Sequence, residues 1–510
     1  MSTTAIPSTV LPRRALLRGL AGFATSAVAA KSASAASTDT SDQIVFMSAT
    51  KLAGLIRARK VSAVEAVNAY IQRTEEVNDR LNAVVMRSFA RARKEAAELD
   101  KRAARRDFAG ALHGVPMTIK DSFDTEGVIS TGGTYGRQQY VPARDATVVA
   151  RLRREGAILL GKTNTPEFTL GGVGGINTSS NKLYGSSHNP YDLTLTTSGS
   201  SGGAAAIVAA GGAAFDIGSD LGGSIRLPAH VNGVAGLKTT AGRVPRTGHI
   251  VDYGGVLDLW QQLGPITRRV EDLALITPLI SGPDYRDAAC IPVPWSDYRK
   301  VQIDKKLRVG FFAGGGESFK ADEDTQKMIR QVAGWVGDAA TVTEAFPTEL
   351  LRALNATSSK LAMGDGWQWY KRLADKWGTK NLSSEMGELI ASTPQMSTAD
   401  YVRVWDEADQ IKTKLLTWME QFDVLLCPAS KNAATPIDRI YNAADGGGSV
   451  NLLGAFNCTG WPVAVVRAGT TNNSLPLGVQ VVAAPWREDR CLAVAGYIEA
   501  RSGGWRAPPI

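Results

Sequence analysis

An α/β fold with a largely buried sheet is what this chain of 510 residues predicts. Three observations lead there. Short β-like runs at residues 115–119, 157–160, 306–312, 424–426, 462–466 and 478–483 alternate with stretches of helical periodicity. The run 157–160 reads Ala-Ile-Leu-Leu, which calls for burial in a strand. With 44% hydrophobic and 21% charged residues, the composition is globular and has material for a large core. Length alone would suggest two to four domains, yet no linker and no internal repeat divides residues 37–510.

Residues 1–36 stand apart from that stretch. Pro12-Arg13-Arg14-Ala15-Leu16-Leu17-Arg18 is followed by a mildly apolar stretch, 19–30, and then by Ala33-Ser34-Ala35. A basic region, a short apolar region and a small-residue cleavage site make a secretory signal, with cleavage expected near Ala35. The arginine pair followed by two leucines resembles a twin-arginine export signal, which places the mature chain in the periplasm or outside the cell. The apolar stretch is too short to cross a bilayer, and no later segment offers an uninterrupted run that could.

From Ser48 the pattern is helical, with Leu52, Leu55 and Ile56 recurring at helical spacing. Ser62-Ala63-Val64-Glu65 reads as a capping box opening a second helix with Val64, Val67 and Ile71 on one face. A third, highly charged helix runs to about Arg106. Its basic residues alternate with Glu95, Glu98 and Asp100, as on a solvated face. The net charge of +8, scattered along the chain, does not make a nucleic-acid footprint. After the first core strand, 115–119, residues 145–155 read as a helix with Val148, Val149 and Leu152 as its stripe. Residues 156–163 then match the phosphate-loop expression G-x-x-x-x-G-K-T letter for letter. A phosphate loop needs its strand to end before the first glycine, whereas here the four intervening residues are apolar and Asn164-Thr165-Pro166 follows. Nucleotide binding is therefore rejected. Residues 177–197 are loop-like, and 270–281 form a helix beyond further strands. The stretch 317–420 is mostly helical and carries an aromatic group, Trp367, Trp369, Tyr370 and Trp377. Packing of an outer helical layer is its first reading, and a wall of an acyl pocket the second. Cys290, Cys427, Cys458 and Cys491 fit no zinc spacing, and both buried thiols and pairing stay open. Neither a metal nor a cofactor is expected.

The chemistry gathers in residues 196–240. Two serine-bearing glycine turns, Gly199-Ser200-Ser201-Gly202-Gly203 and Gly222-Gly223-Ser224-Ile225-Arg226, bracket an alanine-rich run, 204–210, suited to a buried helix. Such turns let backbone approach a ligand and point N–H groups at it. A serine nucleophile needs a base, and the chain has only four histidines: His113, His188, His230 and His249. The hydrolase elbow G-x-S-x-G also fails at Ser224, where Arg226 replaces the second glycine. The strand 115–119 instead delivers Lys120 at its end. An amine held in an apolar setting loses proton affinity and accepts a proton near neutral pH.

These segments resemble the amidase signature family of serine hydrolases. The matching stretches are LHGVPMTIKDSFDTEG (112–127), GKTNTPEF (161–168), SGSSGGAAAIVAAG (198–211), SDLGGSIRLPA (219–229), GLKTTAGRV (236–244), LGPITRRVEDLAL (263–275), FDVLLCPAS (422–430) and LPLGVQVVAAPWREDRCL (475–492). The resemblance implies a single amidase-signature domain with one mixed, twisted sheet covered by helices on both faces. Its catalytic core would span about 112–300 and 422–495, with 317–420 the variable part. It also implies hydrolysis of a carbon–nitrogen bond in a linear amide, with Ser224 the nucleophile, Ser200 the bridging serine after a cis peptide bond, and Lys120 the base. Backbone N–H groups of Leu221, Gly222, Gly223 and Ser224 would form the oxyanion hole, and Gly199, Ser201, Asp220 and Arg226 would support the turns. Three residues depart from the pattern: Ser198 for glycine, Thr239 for proline, and His230 for a small residue. The expected partner is a small-molecule amide, and a homodimer stays open. An amidase subunit of a tRNA-dependent amidotransferase, or an esterase or carbamate hydrolase on the same scaffold, is the alternative.

Overall fold

The structure, a computed structural model, describes residues 43–170, 179–251, 257, 260–315, 319–438 and 450–510. The export signal expected at 1–36 lies outside the described residues. Strands β1 (Val84–Arg87), β2 (Pro116–Lys120) and β3 (Ile158–Thr163) come first along the chain. Two short ladders follow, β4 (Ser180–Asn181) with β5 (Gly185–Ser186) and β6 (His188–Asn189) with β7 (Asp192–Thr196). Then come β8 (Phe215–Asp220), β9 (Ala235–Lys238), β10 (Gln262–Thr267), β11 (Arg308–Phe311), β12 (Thr341–Glu344), β13 (Val424–Pro428), β14 (Val463–Thr470) and β15 (Pro476–Val482). Eleven of these strands build one mixed sheet in the order β1-β3-β2-β8-β10-β9-β14-β15-β13-β11-β12. Pairing is parallel where a helix crosses over. The helix Thr147–Arg154 joins β2 to its parallel neighbour β3, and Glu323–Gly337 joins β11 to β12. Through the middle, from β8 to β13, the pairing is antiparallel.

The sheet is covered on both faces, and β13 shows how. Val424 and Leu426 join a core with the helices Glu323–Gly337 and Glu488–Ser502. Leu425 and Cys427 alternate with them and join a second core with the helices Thr348–Met363 and Thr398–Met419. A strand whose side chains alternate between two packed layers has no polar position to offer, so it reads as an apolar run.

The helix Ala63–Leu81 starts at the expected capping box: Ser62 Oγ accepts from Glu65 N at 3.0 Å, and Glu65 Oε2 accepts from Ser62 N at 2.7 Å. The alanine-rich run forms the helix Gly202–Ala209, buried along its whole length. β3 runs straight through the phosphate-loop look-alike and ends at Thr163, three residues beyond the expected 160. A Cβ on Gly161 would sit 2.4 Å from Met86 O, so glycine is what lets β1 pair there. Lys162 is buried, and its amine donates to Phe123 O, to Ser130 Oγ at 2.9 Å and to Thr125 Oγ1 at 3.0 Å. It holds the protein's own loop and not a phosphate. Trp369 and Tyr370 are core residues, with Tyr370 edge-on to Phe168 at 5.3 Å between ring centroids. All four cysteines are buried and free.

Candidate active site

Lys120 is the last residue of β2. Met117 and Ile119 point into the core beside Phe215 and Ile217, so Thr118 and Lys120 take the opposite face. The Lys120 amine, fully buried, donates to Ser200 Oγ at 2.7 Å, Ser201 Oγ at 3.0 Å and Ser219 Oγ at 3.0 Å. The Gly199–Ser200 peptide bond is cis. Gly202 and Gly203 allow the close approach behind it, because a Cβ would meet Thr197 Oγ1 at 2.3 Å in the first case and Asn164 N at 2.6 Å in the second. Gly218 does the same for β8, where a Cβ would lie 2.8 Å from Ser201 Oγ.

The second turn is tied to the first by backbone: Ser201 N donates to Ser224 O at 3.1 Å. Ser224 is partly exposed and Gly222 exposed, which opens this side of the turn to a ligand. The hydroxyls of Ser200 and Ser224 share no hydrogen bond in this arrangement. Asp220 folds the turn around itself, accepting from Gly223 N at 2.8 Å, from Ile225 N at 3.0 Å and from Arg226 Nε at 3.0 Å. Gly223 has φ +120° and would place a Cβ 2.7 Å from Leu453 Cδ1, so glycine is required there on both counts. In this arrangement the Gly223 N–H is engaged by Asp220.

Arg226 is itself locked. It reaches Leu453 O at 3.0 Å, Gln480 Oε1 at 3.1 Å and Asn457 Oδ1, while Asn457 Nδ2 donates to Asp220 Oδ1 at 2.9 Å and to Gln262 Oε1 at 3.0 Å. Thus the helix Val450–Cys458 clamps the turn from behind.

The electrostatics follow from burial. Desolvation brings the Lys120 amine down to about 7, against the opposing pull of the Asp220 and Asp216 carboxylates. Burial pushes the Asp216 carboxyl up to about 6, although Thr118 Oγ1, Thr163 Oγ1 and Lys120 N all donate to it. Burial would raise Asp220 too, but the Arg226 guanidinium outweighs it and holds that carboxyl well below the usual range. Lys238, buried and bonded to Trp461 O, is likewise lowered to about 7 by burial and by Arg226.

The structure therefore brings Lys120, Ser200 and Ser201 into direct contact and sets Ser224 beside them through the backbone. It adds residues that sequence reasoning passed over: Ser219, Asp216, Asn457 and Gln480. Ser219 stood inside the stretch SDLGGSIRLPA and carried a signal, a serine beside an aspartate near a glycine turn. Asn457 lies 237 residues from Asp220 and carried none.

The three departures also find their places. Ser198 has φ +57°, the left-handed region where glycine is at ease, and its hydroxyl is buried without a partner among the described residues. Thr239 Oγ1 donates to Leu263 O at 2.9 Å, a bond that proline could not make. His230 is a buried core histidine: Nδ1 accepts from Gly478 N at 2.8 Å, and Nε2 lies 3.0 Å from Asn432 O. Burial lowers its pKa.

A mixed sheet carrying a buried amine, a cluster of serines and a glycine turn is the architecture of an enzyme of acyl chemistry. The amidase family model matches residues 65–492, and the chain belongs to the amidase family. It is 30% identical over 504 residues to human fatty-acid amide hydrolase 2, covering 92% of this chain and 91% of that one. It is 33% identical over 500 residues to a glutamyl-tRNA(Gln) amidotransferase subunit of Moorella thermoacetica, covering 92% and 99%. Among solved structures it is similar to 6-aminohexanoate cyclic dimer hydrolase complexed with substrate, with a TM-score of 0.81, 28% identity, and coverage of 91% and 99%. The protein is an amidase signature enzyme that hydrolyses carbon–nitrogen bonds of amides.

Proposed function

We propose that the enzyme works by acyl transfer through Ser224, with Ser200 and Lys120 as a proton relay. The observation that carries this reading is the buried amine of Lys120, lowered to about 7 and 2.7 Å from Ser200 Oγ. Uncharged Lys120 takes the proton of Ser200 as Ser200 takes that of Ser224, and Ser224 Oγ attacks the amide carbonyl. The oxyanion is met by N–H groups of Leu221, Gly222 and Ser224, each worth about 3 kcal/mol in the transition state. The relay then returns a proton to the departing amine, and water hydrolyses the acyl-enzyme. Leu221 is partly buried and packs against an apolar core cluster on one face of the sheet, which supports a substrate with an apolar acyl part. The basic, apolar and small-residue pattern of residues 12–35 supports export.

The experiment uses a decanoyl 4-nitroanilide and the matching 4-nitrophenyl ester. Ser224→Ala abolishes turnover of both. Lys120→Ala loses anilide cleavage far more than ester cleavage, because only the amine leaving group needs the returned proton. Equal loss for both substrates would remove the lysine from the relay. The amidotransferase relative favours a second reading, in which the chain needs partner subunits; amide hydrolysis by the purified chain alone would reject it.

A further inference from the structure

We infer that Ser219 is a positioning residue that turns the lone pair of Lys120 toward Ser200. The inference deepens the acyl-transfer reading and rests on Lys120 being its base. An uncharged lysine amine has two N–H donors and one lone pair, and each serine hydroxyl has one hydrogen to give. Three hydroxyls surround the amine, Ser200 at 2.7 Å and Ser201 and Ser219 at 3.0 Å each. Ser201 Oγ donates its own hydrogen to Ser219 O at 3.3 Å, so toward Lys120 it only accepts. With Ser219 accepting the second N–H, both donors are engaged and the lone pair is left for Ser200.

The proton transfer then balances. The O–H bond of Ser200 breaks as its oxygen takes the proton of Ser224, whose Oγ bonds to the carbonyl carbon; a third N–H bond forms on Lys120, and the ammonium donates to all three hydroxyls around it. Ser219 accepts before and after the transfer, but more strongly from the ammonium. Its backbone is held in place: it pairs with Leu263 of β10 and precedes Asp220, and the residue is buried. Without it, the amine is free to rotate its lone pair away from Ser200.

The other titratable groups facing the amine are Asp216 and Asp220 of β8 and His249, whose segment pairs with Phe123. None of them changes when Ser219 is replaced.

The test is the rate at which a fluorophosphonate labels Ser224 in the full chain between pH 5 and 9, with thermal melts alongside. Ser219→Ala is expected to label about ten-fold more slowly on the alkaline plateau. Its acid limb is expected to move about 0.5 to 1 pH unit lower, because the ammonium has lost a charge-assisted acceptor. Ser219→Thr keeps the hydroxyl and the wild-type limb. A wild-type limb in Ser219→Ala, or the same displacement in Ser219→Thr, overturns the inference. Should Ser219→Ala fail to melt cooperatively, Ser219→Cys, a weaker acceptor of similar shape, must move the limb in the same direction; an unmoved limb there also overturns it. Lys120→Ala separates the two levels. If that variant keeps the limb, the relay itself is wrong and the Ser219 inference goes with it. If it loses the limb while Ser219→Ala retains the wild-type one, only the role of Ser219 is wrong.

Discussion

Lys120 has its proton affinity lowered at the expense of the fold. Its amine titrates at about 7 when folded, and an unfolded lysine titrates near 10.4. Between those values the unfolded chain binds a proton that the folded chain does not, so stability rises with pH across that window. Lys238, lowered to about 7, and Lys162, lowered to about 8, act in the same direction. Replacing Lys120 by methionine removes one such term. Relative to wild type, Lys120→Met is expected to lose about 1.4 kcal/mol of advantage per pH unit from pH 7.5 to 9.5. Urea midpoints at three pH values read this directly, and a constant difference would mean that the folded amine holds its proton. Ser198 carries a second local cost, a left-handed backbone and a buried hydroxyl without a partner among the described residues. Ser198→Gly is expected to stabilise by about 1 kcal/mol, seen as a higher Tm. At this scale much was legible. Lys120, Ser200 and Ser224 sit in motifs whose order along the chain is itself informative. Ser219 was passed over because its role depends on where its hydroxyl points, and only the packed strand decides that.

At the scale of elements, the turn that carries Ser224 is shaped by what lies behind it. Asp220 gathers the backbone N–H groups of Gly223 and Ile225, Arg226 neutralises Asp220, and Asn457 clasps both. Asn457→Ala is expected to lower amide kcat about ten-fold or more while KM barely moves, since it loosens the N–H donors proposed to meet the oxyanion. A KM effect of the same size would instead place Asn457 in substrate binding. Arg226→Met strands a buried carboxylate and is expected to destabilise by about 3–5 kcal/mol, measured by denaturant unfolding. Little of this clasp was legible, because it joins β8, β15 and the helix Val450–Cys458 across more than 200 residues. Longer apolar elements such as β3 and the helix Gly202–Ala209 could be read directly. The four-residue strands β1 and β9 could not, because distant partners define them.

At the scale of the whole molecule, the two-sided sheet explains why the chain reads as α/β from periodicity alone. Strand order and the mixed parallel and antiparallel pairing are set by contacts that no local pattern encodes; the mixed sheet entered the reading only through the family resemblance, and the strand order did not enter it. The same burial makes the cysteines inert, as desolvation pushes the thiols of Cys427 and Cys458 up to about 12. A thiol reagent such as DTNB is expected to find none in the native protein and all four after denaturation without reductant; fewer than four would reveal a disulfide. Everything proposed about mechanism returns to one uncharged amine beneath two serine turns. Its most direct test is the pH dependence of Ser224 labelling by a fluorophosphonate in wild type and Lys120→Ala. The rate should rise through an apparent pKa near 7 in wild type and lie low and flat in the variant. A limb near 7 that survives in Lys120→Ala would show that another group activates the nucleophile.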